Sequence, residues 1–170
     1  ALILTLAIAT SVTALADYAI FKVQGRISNV AILLLGGALG AFLGVSIPIV
    51  SAILILAFLA IYDVYAVYRG PVGKIAQQGL EELHGLSFSF KDFQMGLGDL
   101  TFYSMLIGLV LANVGQILSI ENAVFCAASA TGIVVGVLLV LKMLEKRGMF
   151  PGLPFPVFLG LLPLLVYLLL

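Results

Sequence analysis

The sequence predicts a polytopic, all-α bundle of transmembrane helices. Of the 170 residues, 63% are hydrophobic and only 9% are charged, whereas soluble domains carry roughly 25% charged residues. The apolar residues form long stretches, and a helix needs about 20 such residues to cross a bilayer. All eight basic residues lie in connections between these stretches. We therefore expect an integral membrane protein in which most of the chain is embedded in lipid.

Six spans result when the chain is divided at its charged residues. They are expected at about 1–20, 29–47, 49–68, 96–118, 121–141 and 151–170. Very short connections join the second span to the third and the fourth to the fifth, so each pair should form a tight helical hairpin. The chain then has three regions: membrane helices in 1–68, a loop in 69–95 and membrane helices in 96–170.

The distribution of basic residues predicts the topology. They are Lys22, Arg26, Arg69, Lys74, Lys91, Lys142, Lys146 and Arg147. With six alternating spans, the connections that hold them share one face of the membrane, and an excess of Lys and Arg marks the cytoplasmic side. The loop 69–95 is therefore expected in the cytoplasm and the C-terminus outside. Because the chain opens directly on an apolar helix with no initiator methionine, we expect further segments before residue 1.

Composition also excludes several classes of function. Eight acidic residues balance eight basic ones, so no nucleic-acid partner is expected. The single cysteine, Cys126, cannot form an intrachain disulfide. The single histidine, His84, lies in a polar loop and cannot supply the paired ligands of a HExxH zinc protease. We expect no metal and no organic cofactor, and a homo-oligomer is compatible with the sequence.

Small residues and one alternating segment predict local packing. Glycine or alanine recurs every four positions at Gly36, Gly40 and Gly44 and again at Ala128, Gly132 and Gly136, a spacing that lets helix backbones approach closely in lipid. The segment LSFSF, residues 86–90, alternates with period two, which is a weak strand pattern.

Two carboxylates, Asp63 and Asp99, lie well inside predicted spans. A charge in the membrane interior costs at least about 2.5 to 3.5 kcal/mol, so such residues favour a functional interpretation. At 1.5 Å per residue, Asp63 lies about 9 Å from Arg69 and Asp99 about 10 Å from Asp92. The third and fourth spans run antiparallel and meet the same face, so the two carboxylates are expected at matching depth.

Such a pair favours acid–base chemistry on a water molecule. Two carboxylates in a low dielectric hold one proton between them, so one group acts as base while the other acts as acid. This is the arrangement of aspartic proteases. Two alternatives remain open at this point: each aspartate is satisfied locally by a tyrosine hydroxyl or a backbone N–H, or the pair forms a proton or cation relay.

A cluster of prolines marks the start of the last span. Pro151, Pro154 and Pro156 are expected to prevent a regular helix until after residue 156. Irregular backbone at membrane depth is tolerated only where it is buried in protein or lines a water-filled cavity. The topology puts this segment at the level of Asp63 and Asp99, so we expect it to border the same pocket.

Three short motifs carry a family resemblance. They are YD at Tyr62 and Asp63, GLGD from Gly96 to Asp99, and PGLP from Pro151 to Pro154. In this order and on these spans they resemble the GxGD intramembrane aspartyl proteases, the presenilin and signal peptide peptidase family. Gly152 stands where that family has the alanine of a Pro-Ala-Leu motif. The six spans would correspond to helices four to nine of a nine-helix fold.

The resemblance implies a site and a substrate. It implies that Asp63 and Asp99 are the catalytic pair, and that the motif residues around them line the site: Tyr62, Gly96, Leu97, Gly98, Pro151, Gly152, Leu153 and Pro154. We interpret Gly96 and Gly98 as clearance that lets a substrate backbone and the Asp63 helix approach Asp99. The partners implied are the lipid bilayer and transmembrane helical peptides cleaved within it.

The orientation inferred from the charges resembles that of presenilins, because the loop between the aspartate helices is cytoplasmic. The compact chain, without long acidic loops, suggests an archaeal homologue that acts without accessory subunits. A transmembrane substrate must be locally unwound before it is cut, and an exposed strand edge would hold the unwound segment. LSFSF and the backbone of the proline segment are the candidates for that edge.

Overall fold

The computed structural model describes residues 10–14, 26–69, 87–90, 93–117, 119–147 and 150–169, together with Thr5, Tyr18 and Lys22. Most of the first predicted span and most of the predicted loop, including His84, lie outside the described residues. The described part contains five named helices and one pair of strands. They are α1 (Arg26–Ser46), α2 (Ile49–Arg69), β1 (Ser87–Phe90), β2 (Phe93–Gly96), α3 (Leu97–Asn113), α4 (Ile120–Arg147) and α5 (Pro154–Leu169).

Three of the helices are long and apolar enough to cross a membrane. They are Ser28–Ser46 within α1, Ile49–Arg69, and Ile120–Lys146 within α4. The other two, α3 and α5, have 17 and 16 residues, which corresponds to about 26 and 24 Å of helix at 1.5 Å per residue. Large apolar side chains such as Leu34 and Phe58 are more than two-thirds exposed, as expected where a helix faces lipid. The chain is a membrane protein.

Helix α3 lies at the centre of the bundle. It contacts α1, α2, α4, α5 and β2, and its buried residues Met105, Leu106 and Leu109 are at most 1% exposed. Leu56 of α2 and Leu164 of α5 complete the same core cluster. The GxGD motif is therefore at the start of the one helix that touches most of the others.

Helix α1 packs along α3 through its glycines. A methyl group at Gly40 would overlap the backbone carbonyl oxygen of Thr101, and one at Gly44 would overlap that of Met105. The predicted role of this glycine ladder in packing is confirmed. The predicted hairpin of α1 and α2 is wrong, because α1 lies against α3 although only two residues separate it from α2. The glycine face lets α1 approach the α3 backbone more closely than any other partner.

Helices α4 and α5 also pack through glycines. Methyl groups at Gly132 and Gly136 would come within 2.5 Å of Leu159 and Pro156 in α5. The prediction holds for these two positions, whereas Ala128 is exposed. Helices α3 and α4 are in contact, as the second predicted hairpin required. Their connection turns at Gly115, whose φ of 53° is a left-handed conformation that favours glycine.

The prediction that α5 begins only after residue 156 is wrong. The helix begins at Pro154, and its first i to i−4 hydrogen bond runs from the N–H of Val157 to the carbonyl of Leu153 over 3.0 Å. Prolines are accepted at 154 and 156 because N–H groups in the first turn have no intrahelical partner. Only Phe150 to Leu153, before the helix, are non-helical here.

The strand predicted in LSFSF is confirmed at Ser87–Phe90. Its partner, Phe93–Gly96, was not predicted, although Phe93, Gln94 and Met95 also alternate between apolar and polar. The two strands are antiparallel, with Ser87 opposite Gly96 and Phe90 opposite Phe93. Strand β2 runs directly into α3 at Gly96, so the hairpin is joined to the helix that carries Asp99 without any intervening loop.

Candidate functional site

A cavity of about 250 Å³ lies where α2, α3, α4 and the start of α5 meet. Asp63 and Asp99 both line it, and they are close enough to interact electrostatically. The structure therefore brings together the two aspartates that were expected at matching depth. The other lining residues are Val67, Tyr103, Val137, Val140, Leu141, Leu144, Phe150 and Gly152.

Asp63 is held by the backbone of the proline segment. It lies near the C-terminal end of α2 and is half-buried. Its Oδ2 atom accepts a hydrogen bond of 2.9 Å from the N–H of Leu153. A backbone N–H is a fixed donor that satisfies a carboxylate without a counter-ion. This contact fixes the position of one carboxylate oxygen relative to α5.

Asp99 lies in the first turn of α3, where the helix dipole favours negative charge. Gly96 is the N-cap residue, with extended backbone angles and no side-chain cap. Among the described residues, no hydrogen-bond donor to the Asp99 carboxylate is found. A methyl group on Gly152 would lie only 3.3 Å from Asp99 Oδ2, so this carboxylate leaves little room for a side chain at position 152.

The residues Gly152 and Leu153 connect the two aspartates. Leu153 is buried, with 6% of its surface exposed, and its N–H bonds to Asp63. The carbonyl of Gly152 accepts a hydrogen bond of 3.0 Å from the hydroxyl of Tyr103. Pro151 is also buried. The segment predicted to border the aspartate pocket does so, and it contacts both aspartate helices.

Of the eight lining residues that the resemblance implied, Gly152 alone lines the cavity, and the other seven do not: Tyr62, Gly96, Leu97, Gly98, Pro151, Leu153 and Pro154. Tyr62 is 56% exposed and its ring stacks on Phe58 at a centroid distance of 6.4 Å. Leu97 extends toward Gly36 of α1. Pro154 borders a separate apolar groove of about 410 Å³ between α2 and α5. Helical periodicity explains this result, because neighbours of an inward residue point about 100° away from it.

The interpretation of Gly96 and Gly98 as clearance for the Asp63 helix is wrong for the described residues. A methyl group at Gly96 would meet only Asp99 and Gly98 within 4 Å, and one at Gly98 would meet only Phe102. The α2 helix reaches neither position. Clearance for a substrate backbone at these glycines stays a prediction.

Two features of the site were not predicted from the sequence. Tyr103 lies one helical turn after Asp99, at the i+4 spacing that places two side chains on one face, so this spacing could have revealed it. The apolar wall formed by Val137, Val140, Leu141 and Leu144 of α4 could not be found this way. Val137, Val140 and Leu141 sit in an apolar stretch of α4 in which no residue type distinguishes the cavity side.

The arrangement is suited to a reaction of water. At about 30 Å³ per water molecule the cavity has room for roughly eight waters, or for a peptide group beside one water. Two carboxylates and several apolar side chains line this space. In the part of the chain that the structure describes, no three His, Cys, Asp or Glu side chains cluster as metal ligands do.

Comparison with known proteins gives no match: neither a protein-family model nor a curated protein sequence matches this chain.

Proposed function

We propose that this chain is an intramembrane aspartyl endopeptidase that cleaves transmembrane helical peptides. The observation that carries the proposal is that Asp63 and Asp99, from two different helices, line one small cavity together with Gly152. The three motifs found in the sequence, YD, GLGD and PGLP, meet at this place. A carboxylate pair in an otherwise apolar membrane helix bundle is costly, which supports a functional role.

The proposed reaction uses one water molecule and one shared proton. The ionised carboxylate takes a proton from water while the water oxygen bonds to the scissile carbonyl carbon, and the protonated carboxyl gives its proton to the carbonyl oxygen. The product is a gem-diol. It collapses when the C–N bond breaks: the leaving nitrogen takes the proton of the protonated carboxyl, and one hydroxyl of the gem-diol gives its proton to the other carboxylate as the new terminal carboxyl forms. The pair then holds one proton again.

The surroundings of the aspartates support an apolar peptide as substrate. Val140, Leu141 and Leu144 form an apolar wall of the cavity that the carboxylates line. Such a wall suits the side chains of a transmembrane segment and keeps bulk water away from the reacting groups. We propose that the strand pair before α3 holds the unwound substrate by adding a strand at an open edge.

We further propose a multi-pass topology in the cell membrane, with the loop 69–95 cytoplasmic and the C-terminus outside. The support is the charge bias of the connections. The correspondence of the spans to helices four to nine of the presenilin and signal peptide peptidase family belongs to the same proposal. The motif residues support it, with Gly152 in place of the family's alanine.

The decisive experiment measures cleavage of a transmembrane peptide by the purified protein in liposomes. General acid–base catalysis contributes about 10² to 10⁴-fold, so Asp63→Asn and Asp99→Asn should each lower cleavage at least about 100-fold. The matched control is Glu121→Gln, which removes an exposed carboxylate in the first turn of α4. Full cleavage by either aspartate variant would refute the assignment.

The same liposomes distinguish the relay hypothesis. A proton or cation relay predicts ion flux that either Asn substitution abolishes, and no peptide cleavage. A transition-state mimic with a hydroxyl in place of the scissile carbonyl adds a further test. A protease should bind the mimic more tightly than the matching peptide, whereas a relay has no reason to bind it.

The strand-edge hypothesis has its own test. Ser89→Pro in β1 removes one backbone donor and distorts the strand, whereas Ser89→Ala keeps the backbone unchanged. We expect the proline variant alone to lower cleavage, with the same unfolding midpoint as the alanine variant. Unaffected cleavage by Ser89→Pro would contradict strand addition at this edge.

A further inference from the structure

We infer that Tyr103 is a positioning residue for the aspartate pair, because it fixes the peptide group that hydrogen-bonds Asp63. The inference rests on the proposed function for its effect on rate, but its geometry stands alone. Neither the YD, the GLGD nor the PGLP motif includes Tyr103. Its hydroxyl bonds to backbone rather than to a carboxylate.

Tyr103 and Asp63 bind the two ends of one peptide group. The Tyr103 hydroxyl donates to the carbonyl of Gly152 over 3.0 Å, and the N–H of Leu153 donates to Asp63 Oδ2 over 2.9 Å. That carbonyl and that N–H belong to the same peptide unit, whose atoms lie in one plane. Fixing the carbonyl therefore fixes the direction in which the N–H points.

A proline leaves the Gly152 carbonyl available to Tyr103. Gly152 precedes α5, and an extension of the helix back to it would need its carbonyl to accept from the residue four positions further on, which is Pro156. Proline has no N–H, so this competing donor does not exist. The next bond in the series, from Val157 to Leu153, is made over 3.0 Å. The carbonyl of Gly152 is thus available as an acceptor where α3 places the hydroxyl of Tyr103.

Tyr103 is itself rigidly placed. Its side chain is only 7% exposed and belongs to the central core cluster. It follows Asp99 by one helical turn, so its hydroxyl and the Asp99 carboxylate move as one body with α3. The hydrogen bonds from Tyr103 through the peptide group to Asp63 form a chain. Bonds in such a chain polarise one another, which increases the strength of each by about 10 to 30%. Tyr103 thereby fixes the position of the Asp63 carboxylate relative to that of Asp99.

The test is Tyr103→Phe, which keeps the ring and removes only the hydroxyl. One neutral hydrogen bond is worth about 1 kcal/mol, so kcat for peptide cleavage should fall about fivefold with KM unchanged. Tyr167→Phe is the matched control. It removes a hydroxyl that accepts a 3.1 Å bond from the N–H of Gly115, remote from the cavity, and should leave kcat unchanged.

A measurement independent of activity tests the geometry. In a double-mutant cycle on thermal unfolding, Tyr103→Phe and Asp63→Leu should be non-additive because both remove a bond to one peptide group. Tyr167→Phe and Asp63→Leu should be additive. Additivity of the Tyr103 pair would overturn the link, whether or not the protein cleaves peptides.

The outcomes separate the two proposals. If the wild type does not cleave, or if Asp63→Asn cleaves normally, the proposed function fails while the cycle still decides the role of Tyr103. If the wild type cleaves and Tyr103→Phe keeps its kcat, the positioning role is wrong although the protease assignment stands. An increase in KM alone would make Tyr103 a substrate-binding residue and would also overturn the inference.

Discussion

The carboxylate of Asp63 and the backbone N–H of Leu153 form a hydrogen bond of 2.9 Å between residues 90 positions apart in the chain. It joins α2 to the segment before α5. It adds a directional contact to the packing of Ala52 and Leu56, which α2 contributes to the core cluster. Asp63, which we propose as a catalytic residue, therefore also makes a structural contact between two parts of the protein.

Replacement of Asp63 should separate these two roles. Asp63→Asn retains an oxygen that can accept from Leu153, whereas Asp63→Ala leaves that N–H without an acceptor. We expect Asp63→Ala to be less stable than Asp63→Asn by about 1 to 3 kcal/mol, measured by denaturation in detergent micelles. Asp99, which has no donor among the described residues, is the control: its Ala and Asn variants should differ little.

Substitution of Gly152 should depend steeply on side-chain size. A methyl group would sit 3.3 Å from Asp99 Oδ2, a contact that a small rotation of the carboxylate relieves, so Gly152→Ala should retain most cleavage. Gly152→Val adds two methyl groups to the same space. Overpacking costs about 1 to 3 kcal/mol, and we expect at least a tenfold loss of kcat. Equal activity of both variants would show that Asp99 is not in contact with this residue.

Gly40 and Gly37 should respond oppositely to the same change. A methyl group at Gly40 would overlap the carbonyl oxygen of Thr101, whereas one at Gly37 would meet nothing within 4 Å. Gly40→Ala must push α1 away from α3 and should cost more than about 3 kcal/mol, the upper end for ordinary overpacking. Gly37→Ala should be neutral or stabilising. The thermal unfolding midpoints of the two variants decide the matter.

Asn122 should be among the most sensitive polar residues outside the cavity. It is 1% exposed, and its Nδ2 donates to the carbonyls of Leu111 and Val114 over 2.9 and 2.6 Å. Asn122→Ala leaves both carbonyls unsatisfied at the end of α3. We expect a loss of about 1 to 3 kcal/mol per unsatisfied group, measured by denaturant titration. Cleavage per folded molecule should be unchanged.

Ser129 should show the opposite behaviour. Its hydroxyl is buried without a hydrogen-bond partner, so Ser129→Ala should be neutral or stabilise the protein by about 1 kcal/mol. Ser104 provides the contrast, since its hydroxyl donates to the carbonyl of Gly37 over 2.7 Å. Ser104→Ala should destabilise by about 1 kcal/mol. A destabilised Ser129→Ala would indicate a partner for this hydroxyl.

The positions of the two aspartates were predictable because charge in lipid is costly. Depth counted from the flanking charges placed Asp63 and Asp99 at one level, and they line one cavity. The proline motif was predictable for a similar reason, since irregular backbone in a membrane must be buried. The strand at Ser87–Phe90 followed from its alternating pattern.

Which helices pack against each other could not be predicted, because an apolar residue in a membrane helix does not show whether it faces lipid or another helix. In water an apolar stripe shows which face is buried, whereas in a bilayer the lipid-facing and protein-facing sides are both apolar. The pairing of α1 with α3, and the wall that α4 contributes to the cavity, depend on that missing distinction. The helix start at Pro154 differs from the expectation because Pro154 and Pro156 both fall in the first turn of α5, where a missing N–H breaks no intrahelical bond.

The hydrogen bond between Asp63 and Leu153 also fixes an order of events during biosynthesis. Asp63 enters the bilayer long before the ribosome has made Leu153, so its carboxylate is first inserted without this donor. The donor arrives only when α5 packs against α2, and the Gly152 carbonyl meets Tyr103 in the same step. The aspartate pair therefore acquires its native geometry only after the segment before α5 has been made. A nascent chain that lacks α5 already contains both carboxylates, but it cannot hold them in place and should be inert toward the other helices in its membrane.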